Sequence, residues 1–206
     1  MNPHRRLSLI IAMAAALFLG ACATLQQVSE LSKVKFTLDR VSAVRVAGID
    51  LMNIEALDQL NMFQVGRVTL AMSRENLPLD ITLHMKTENP LVNQVAATLI
   101  RMEWTLMLDG RETVSGTLEE DVTLPAGEAR DIPLKLSLNM FEFFNEKNAM
   151  DMLDLALAFA GENGAVPKGV ALKIRPTIDT IFGPITYGTP ILIEPRREEE
   201  NQRQAF

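Results

Sequence analysis

The chain has 206 residues, of which 48% are hydrophobic and 22% charged, and its formal net charge is −6. This length and apolar fraction are typical of one globular domain that buries its own core. The negative charge argues against a protein that binds nucleic acid by neutralising phosphates. One cysteine and two histidines exclude an internal disulfide framework and a cysteine-rich zinc site.

The first 21 residues have the organisation of an export signal. Two arginines precede an apolar run from Leu7 to Leu19, which is shorter than the roughly 20 residues that a transmembrane helix needs. The run ends in Leu19-Gly20-Ala21-Cys22, which resembles the lipobox of bacterial lipoproteins. The resemblance implies that the signal peptidase recognises Leu19, Gly20 and Ala21. Cleavage would leave Cys22 as the first residue, carrying diacylglycerol and an N-acyl chain such as palmitate.

The lipid on Cys22 would decide where the protein resides. Two or three acyl chains give firm attachment, whereas a single chain is marginal. Ala23 follows the cysteine, and in lipoprotein sorting the absence of Asp at this position favours the outer membrane, with the domain facing the periplasm. Removal of residues 1–21 takes away two arginines and no acid, so the mature side chains carry a charge of −8. Because anionic lipid repels such a domain, the anchor and not a basic patch must hold it.

The mature chain divides into three parts. Residues 22–33 form a polar tether, residues 34–195 form one domain, and residues 196–206 form a charged tail that we expect to be disordered.

Alternation of apolar and polar residues with period two predicts strands through most of the domain. From Leu79 to Thr87 the odd-numbered residues would face the core and the even-numbered residues would face water. Asp109-Gly110 predicts a tight hairpin. Further strands are predicted at 36–46 with an irregularity near Arg40, at 68–72, 104–108, 111–124 and 132–138, at 170–174, and at 185–193 with a break at Pro190.

Two segments depart from the strand pattern. Residues 53–60 predict one or two helical turns with Asn53 as the cap. Residues 139–161 predict an amphipathic helix that begins at Asn139 and stops at Gly161. One face of this helix would be apolar, and it carries Phe141, Phe144, Met152, Leu155 and Phe159. That face would cap the core, act as a lid over an apolar groove, or contact a membrane or partner.

The strand and helix pattern predicts a mainly β protein, an antiparallel β-sandwich of about seven to eight strands with one inserted amphipathic helix. Within it, Asn89-Pro90, the hairpin at 108–111, Leu-Pro-Ala-Gly at 124–127 and Ile-Pro-Leu-Lys-Leu-Ser at 132–137 follow in order. This ordered set resembles the late embryogenesis abundant type 2 family, also called the WHy domain, which has lipoprotein members in bacteria.

The resemblance implies an immunoglobulin-like or fibronectin-like sandwich with no catalytic residues to carry over. It also implies roles in stress response and in membrane or partner association. The Asn-Pro of this chain is not followed by the Asn or Tyr of the extended family motif.

The residues themselves offer little for catalysis or metal binding. His84 is the only histidine of the mature chain and lies on the polar side of its strand. The sequence has no G-x-S-x-G motif that would supply a nucleophilic serine for it. A hydrolase would need Ser or carboxylate partners around His84 in a cleft. Glu119 and Asp121 would share one strand face and could hold a hard cation weakly, although a solvated acidic strand is the simpler interpretation. We predict no catalytic residue, no metal site, and no cofactor besides the lipid on Cys22.

The sequence therefore predicts a lipid-anchored, non-catalytic binding or structural module of the bacterial envelope, related to envelope stress. Its partners would be the membrane, through the anchor, and an envelope protein or lipid, but not nucleic acid. The alternative is a carrier or sensor of a lipid or other apolar ligand with the 139–161 helix as lid. That alternative requires a continuous apolar cavity beneath Phe141, Leu155 and Phe159.

Overall fold

The structure is a computed structural model that describes residues 33–54, 56–93, 96–143, 149–161, 164–179 and 183–195. Residues 1–32, for which a signal segment, a lipobox and a tether are predicted, and residues 196–206, for which a disordered tail is predicted, lie outside the described residues. Among the described residues, no helix is long and apolar enough to cross a bilayer.

The described elements are, in chain order, β1 (Lys35–Val46), β2 (Ile49–Asp50), a 3-10 turn (Leu57–Gln59), α1 (Met62–Ser73), β3 (Pro78–Glu88), β4 (Ala97–Leu108), β5 (Arg111–Leu118), β6 (Val122–Leu124), β7 (Ala129–Asn139), α2 (Met140–Phe143), α3 (Ala149–Ala160), β8 (Val170–Ile178), β9 (Ile185–Thr186) and β10 (Ile191–Ile193).

The strands form two antiparallel sheets that share one apolar core, which confirms the predicted β-sandwich class. One sheet has the order β2-β1-β3-β7. The other has the order β10-β8-β4-β5, with β6 paired to β4 and β9 paired to β8. The inward-facing side chains of both sheets interdigitate, as two packed sheets require.

Period-two patterning determines which face of each strand is buried. In β3 the predicted inward residues, from Leu79 to Thr87 in steps of two, are buried, and the residues between them are more exposed. Asp109 and Gly110 adopt φ values of 49° and 75°, as a two-residue hairpin with the matching twist requires. The predicted break at Pro190 separates β9 from β10.

The irregularity predicted near Arg40 is confirmed as two register shifts in β1. The pairing of β1 with β3 skips Asp39 and Ser42, so each of them is an extra residue of a β-bulge. Each bulge resets the alternation: Asp39 and Arg40 are exposed one after the other, and Ser42 and Ala43 both lie between the buried Val41 and Val44.

The segment around Val68 is helical, so the prediction of a strand there was wrong. Asn61 begins α1 with a capping box, in which the Asn61 side chain accepts from the Gln64 backbone N–H and the Gln64 side chain accepts from Asn61. The helical turn predicted at 53–60 is confirmed as the 3-10 turn, although Ala56 and not Asn53 precedes it.

The single helix predicted over 139–161 was also wrong in its extent. Pairing with Pro78 keeps Asn139 extended as the last residue of β7. Its side-chain oxygen accepts from the backbone N–H of Leu77 at 3.0 Å and of Phe141 at 3.3 Å, so it joins the sheet to α2. α2 ends at Phe143, and α3 begins at Ala149.

Candidate functional site

The chain enters the sandwich at one defined end. Lys35, the first residue of β1, pairs with Glu88, the last residue of β3. Just before it, Val34 is buried in a small apolar cluster with Leu124 and Ile178. The tether that leads from Cys22 therefore reaches the domain at the end where β3 stops. The lipidation and recognition residues themselves, Leu19, Gly20, Ala21 and Cys22, lie outside the described residues.

The apolar face predicted for the 139–161 helix belongs to the core. Phe159 and Met152 are 0% and 2% exposed within the main core, where α3 packs against β1. Phe141 and Leu155 are partly buried and pack against the same cluster, and Phe144 lies outside the described residues. The side chains that a lid would turn toward a ligand are thus used to cover the sandwich.

The exposed apolar surface lies instead on α1, which the sequence analysis missed. Met62 and Phe63 are 88% and 86% exposed, Val65 and Leu70 are about half exposed, and the helix buries Val68. The stretch from residue 61 to 74 also carries two arginines and no acid, in an acidic protein. The capping box and the seven-residue spacing of Phe63 and Leu70 were the signals that could have revealed this surface.

A second exposed apolar feature is the turn that follows β3. The backbone N–H of Asn93 donates to the carbonyl of Pro90 at 2.9 Å, which makes Leu91 and Val92 the central residues of a four-residue turn. They are 85% and 67% exposed. Central turn positions are usually taken by Gly, Asn, Asp, Ser or Pro, so two exposed aliphatic side chains here are unusual.

Two buried asparagines hold this apolar turn in place. Asn89 is fully buried, and its Nδ2 donates to the carbonyl of Leu124 at 2.7 Å. The Asn93 side chain donates in turn to Oδ1 of Asn89. Asn89 also exchanges backbone hydrogen bonds with the β6–β7 turn, accepting from Gly127 at 2.7 Å and donating to Glu128 at 3.0 Å. The Asn-Pro of the family resemblance therefore has a structural role in this chain.

His84 lies on the outer face of β3, as predicted, but within a network of hydrogen bonds. Its Nε2 is 2.8 Å from Oγ of Ser42 on β1, and its Nδ1 is 2.8 Å from Oδ2 of Asp131 on β7. Arg40 completes the cluster, with Nη2 2.8 Å from Asp131 and 3.0 Å from Nδ1 of His84. The His84 side chain is consequently only 12% exposed, less than an ordinary surface histidine.

The electrostatics of this cluster keep Asp131 ionised. Partial burial would raise the pKa of the Asp131 carboxyl, but hydrogen bonds from Arg40 and His84 outweigh it and lower that pKa. Hydrogen bonds to Asp131 and Asp39 likewise raise the pKa of the Arg40 guanidinium. A carboxylate facing Nδ1 favours the tautomer in which Nε2 accepts from the Ser42 hydroxyl. This is the residue order of a Ser-His-Asp triad, placed on an open sheet face.

The acidic residues Glu119 and Asp121 do not share a strand face, because residues 119–121 lie in the connection between β5 and β6. Within the part of the chain that the structure describes, no group of three or more His, Cys, Asp or Glu side chains is placed to hold a metal ion.

No protein-family model and no curated protein sequence matches the chain. Three solved structures are similar in fold. A protein from Archaeoglobus fulgidus is 14% identical at a TM-score of 0.34, over 74% of this chain and 91% of its own. A solution structure provisionally assigned as a late embryogenesis abundant protein is 14% identical at a TM-score of 0.38, over 89% of this chain and 84% of its own. The provisionally assigned ApaA protein of Bordetella pertussis is 11% identical at a TM-score of 0.33, over 80% of this chain and 94% of its own. At these TM-scores and identities, none of the three assigns a family or a function to this chain.

Proposed function

We propose that this chain is a lipid-anchored, non-catalytic binding module of the bacterial cell envelope. The lipobox resemblance at residues 19–22 supports the anchor, and the exposed apolar face of α1 supports the binding role. That face is the single observation that carries the proposal, since several large apolar side chains exposed on one helix mark an interaction site.

The position of α1 suits a protein held at a membrane. The chain enters beside Glu88 at one end of β3, and α1 leads into Pro78 at the other end. The eleven residues of β3 separate the two ends by about 33 Å. A domain that stands on its anchored end would hold Phe63 and Leu70 away from the membrane, toward partners in the periplasm. Arg67 and Arg74, both exposed, favour a partner with acidic groups around an apolar contact.

The anchor is tested by mass spectrometry of the N-terminal peptide and by fractionation of cells. We expect the mature protein to begin at Cys22, to carry diacylglycerol and an acyl chain, and to sediment with the outer membrane. Cys22→Ser should abolish the added mass and leave an uncleaved precursor. A mature N-terminus elsewhere, or an unmodified cysteine, would contradict the anchor.

The binding surface is tested by photo-crosslinking in intact cells. A benzoylphenylalanine at Phe63 should form a discrete adduct that Leu70→Asp abolishes, because both side chains lie on the exposed side of α1. The same probe at the exposed Arg111, in the β4–β5 hairpin, is the matched control and should not form that adduct. Equal adducts at both positions would mean that α1 is not a specific contact surface.

The carrier alternative is tested by native mass spectrometry of mature Cys22→Ser, which is exported behind a signal peptide that is cleaved without lipidation and is purified without detergent. A bound lipid that Leu155→Asp removes would support it. The burial of Phe159 and Met152 in the core favours a bare monomer mass.

Ser42, His84 and Asp131 have the residue order of an esterase site, but we do not propose hydrolysis at Ser42, because the serine lies on an exposed sheet face. We expect no fluorophosphonate labelling of Ser42, and labelling that His84→Ala prevents would contradict a non-catalytic role.

A further inference from the structure

The geometry points to the turn at Leu91 and Val92 as a second membrane contact, which enters the same bilayer that holds the Cys22 lipid. This inference rests on the proposed lipid anchor and adds to it an orientation of the domain.

Proximity to the tether is the first argument. Lys35 pairs with Glu88, and the Pro90–Asn93 turn follows Glu88 directly in the chain, so the tether and the turn share one end of the sandwich. Twelve steps of chain separate Cys22 from Val34, which limits their separation to about 40 Å even when fully extended. α1 lies at the opposite end of β3 and therefore farther from the anchor. The end that carries Leu91 and Val92 is therefore the end of the sandwich nearest to Cys22 along the chain, which favours its contact with the membrane.

The chemistry of the turn is the second argument. Leu91 and Val92 present two adjacent aliphatic side chains to solvent, where turns normally place polar residues. The sequence from Asn89 to Ile100 carries no charged side chain, so the turn itself brings no charge into lipid. The exposed Glu88, before the turn, and the exposed Glu128, paired with Arg130 at 2.9 Å, would remain in water at the headgroup level.

The rigid base of the turn is the third argument. Asn89 and Asn93 are buried, and they connect the turn to β6 and to the β6–β7 turn. Gly127 has a φ of +78°, and a Cβ there would come within 2.5 Å of Cδ2 of Leu91, so glycine lets the leucine lie over its backbone. The backbone that carries Leu91 and Val92 is thus held by buried hydrogen bonds, and membrane entry costs little ordering of that backbone.

The test uses lipidated protein in vesicles of phosphatidylethanolamine and phosphatidylglycerol. Since the lipid occupies Cys22, Val92→Cys provides a single free thiol for a spin label. The label should lie about 5–10 Å below the headgroup boundary, with high oxygen and low nickel-complex accessibility. A label at Met62→Cys, on the equally exposed α1, is the control and should remain in water.

Two further variants separate a specific contact from general proximity. Leu91→Asp should return the label at position 92 to water, whereas Leu192→Asp, on β10 and 57% exposed, should leave its depth unchanged. A label at 92 that is as water-accessible as one at 62, in protein that floats with the vesicles, overturns the membrane contact alone. If the protein carries no lipid on Cys22 and does not float with the vesicles, the proposed anchor is refuted, and so is the membrane contact that rests on it.

Discussion

Two phenylalanines on two helices provide a matched test of whether α3 is core or lid. Phe159 on α3 is fully buried, and Phe63 on α1 is 86% exposed. Full burial of a phenylalanine side chain contributes about 1.5–3 kcal/mol. Because the cavity left by truncation adds to this, Phe159→Ala should lower the free energy of unfolding by about 3–5 kcal/mol.

The control variant removes the same atoms from the surface. Phe63→Ala should change the free energy of unfolding by no more than about 0.5 kcal/mol. Both substitutions replace phenylalanine by alanine within a helix, so the gain in helix propensity, about 0.5 kcal/mol, largely cancels in their difference. The expected difference between the variants is therefore about 3–5 kcal/mol, a large part of the stability of an ordinary domain.

The assay is urea unfolding of mature Cys22→Ser, followed by the fluorescence of Trp104. This residue is the only tryptophan, lies in β4 of the other sheet and is buried, so it reports on the whole domain. For Phe159→Ala, the dependence of the unfolding free energy on urea concentration should stay constant, while the urea concentration at the midpoint of unfolding should fall. If the two variants differed by less than about 1 kcal/mol, Phe159 would not be packed as a core residue. The assignment of α3 to the core would then be wrong, and the carrier alternative would gain support.

Three further predictions concern stability. Asp131→Asn should leave a protein whose stability is less sensitive to acid. The pKa of Asp131 is lower in the folded protein than in the unfolded chain, where it is near 4, so its carboxylate stabilises the fold above that pH. This contribution is lost as the pH falls through the folded-state pKa. The difference in unfolding free energy between wild type and Asp131→Asn should therefore shrink below about pH 4, and a constant difference would refute the role of Arg40. Thr87→Val should be neutral or stabilising by up to about 1 kcal/mol in thermal unfolding, because the buried Thr87 hydroxyl has no hydrogen-bond partner among the described residues. Gly116→Ala should cost about 1–3 kcal/mol and shift tryptophan emission, because the new Cβ would collide with the Trp104 ring.

Local patterns were sufficient for β3 and for the main hairpin. The alternation in β3 and the Asp109-Gly110 dipeptide are local in sequence, and the structure confirms both. The α1 segment was misread because Val68, Leu70 and Met72 fit strand alternation, while the helical signal lay upstream in the Asn61-Gln64 capping box. A spacing of two over a short stretch does not distinguish an exposed helix from a strand.

The outcome at the candidate sites depended on contacts between distant residues. Sequence placed His84 on a polar face, but only the bulge at Ser42 and the pairing of β3 with β7 bring a hydroxyl and a carboxylate to its two nitrogens. Sequence likewise placed Asn89 at the end of a strand, without showing that it is buried beneath Leu91 and Val92.

By itself the sequence determined the sandwich class, most of the strands and the main hairpin, because residue periodicity and turn chemistry act over a few neighbouring positions. It also predicts the lipid anchor at Cys22. Only the tertiary structure decided that the α3 face is core, that the α1 face is exposed, and that the tether and the apolar turn share one end. Burial and register depend on which strands pair across the whole chain, and no local pattern contains that information.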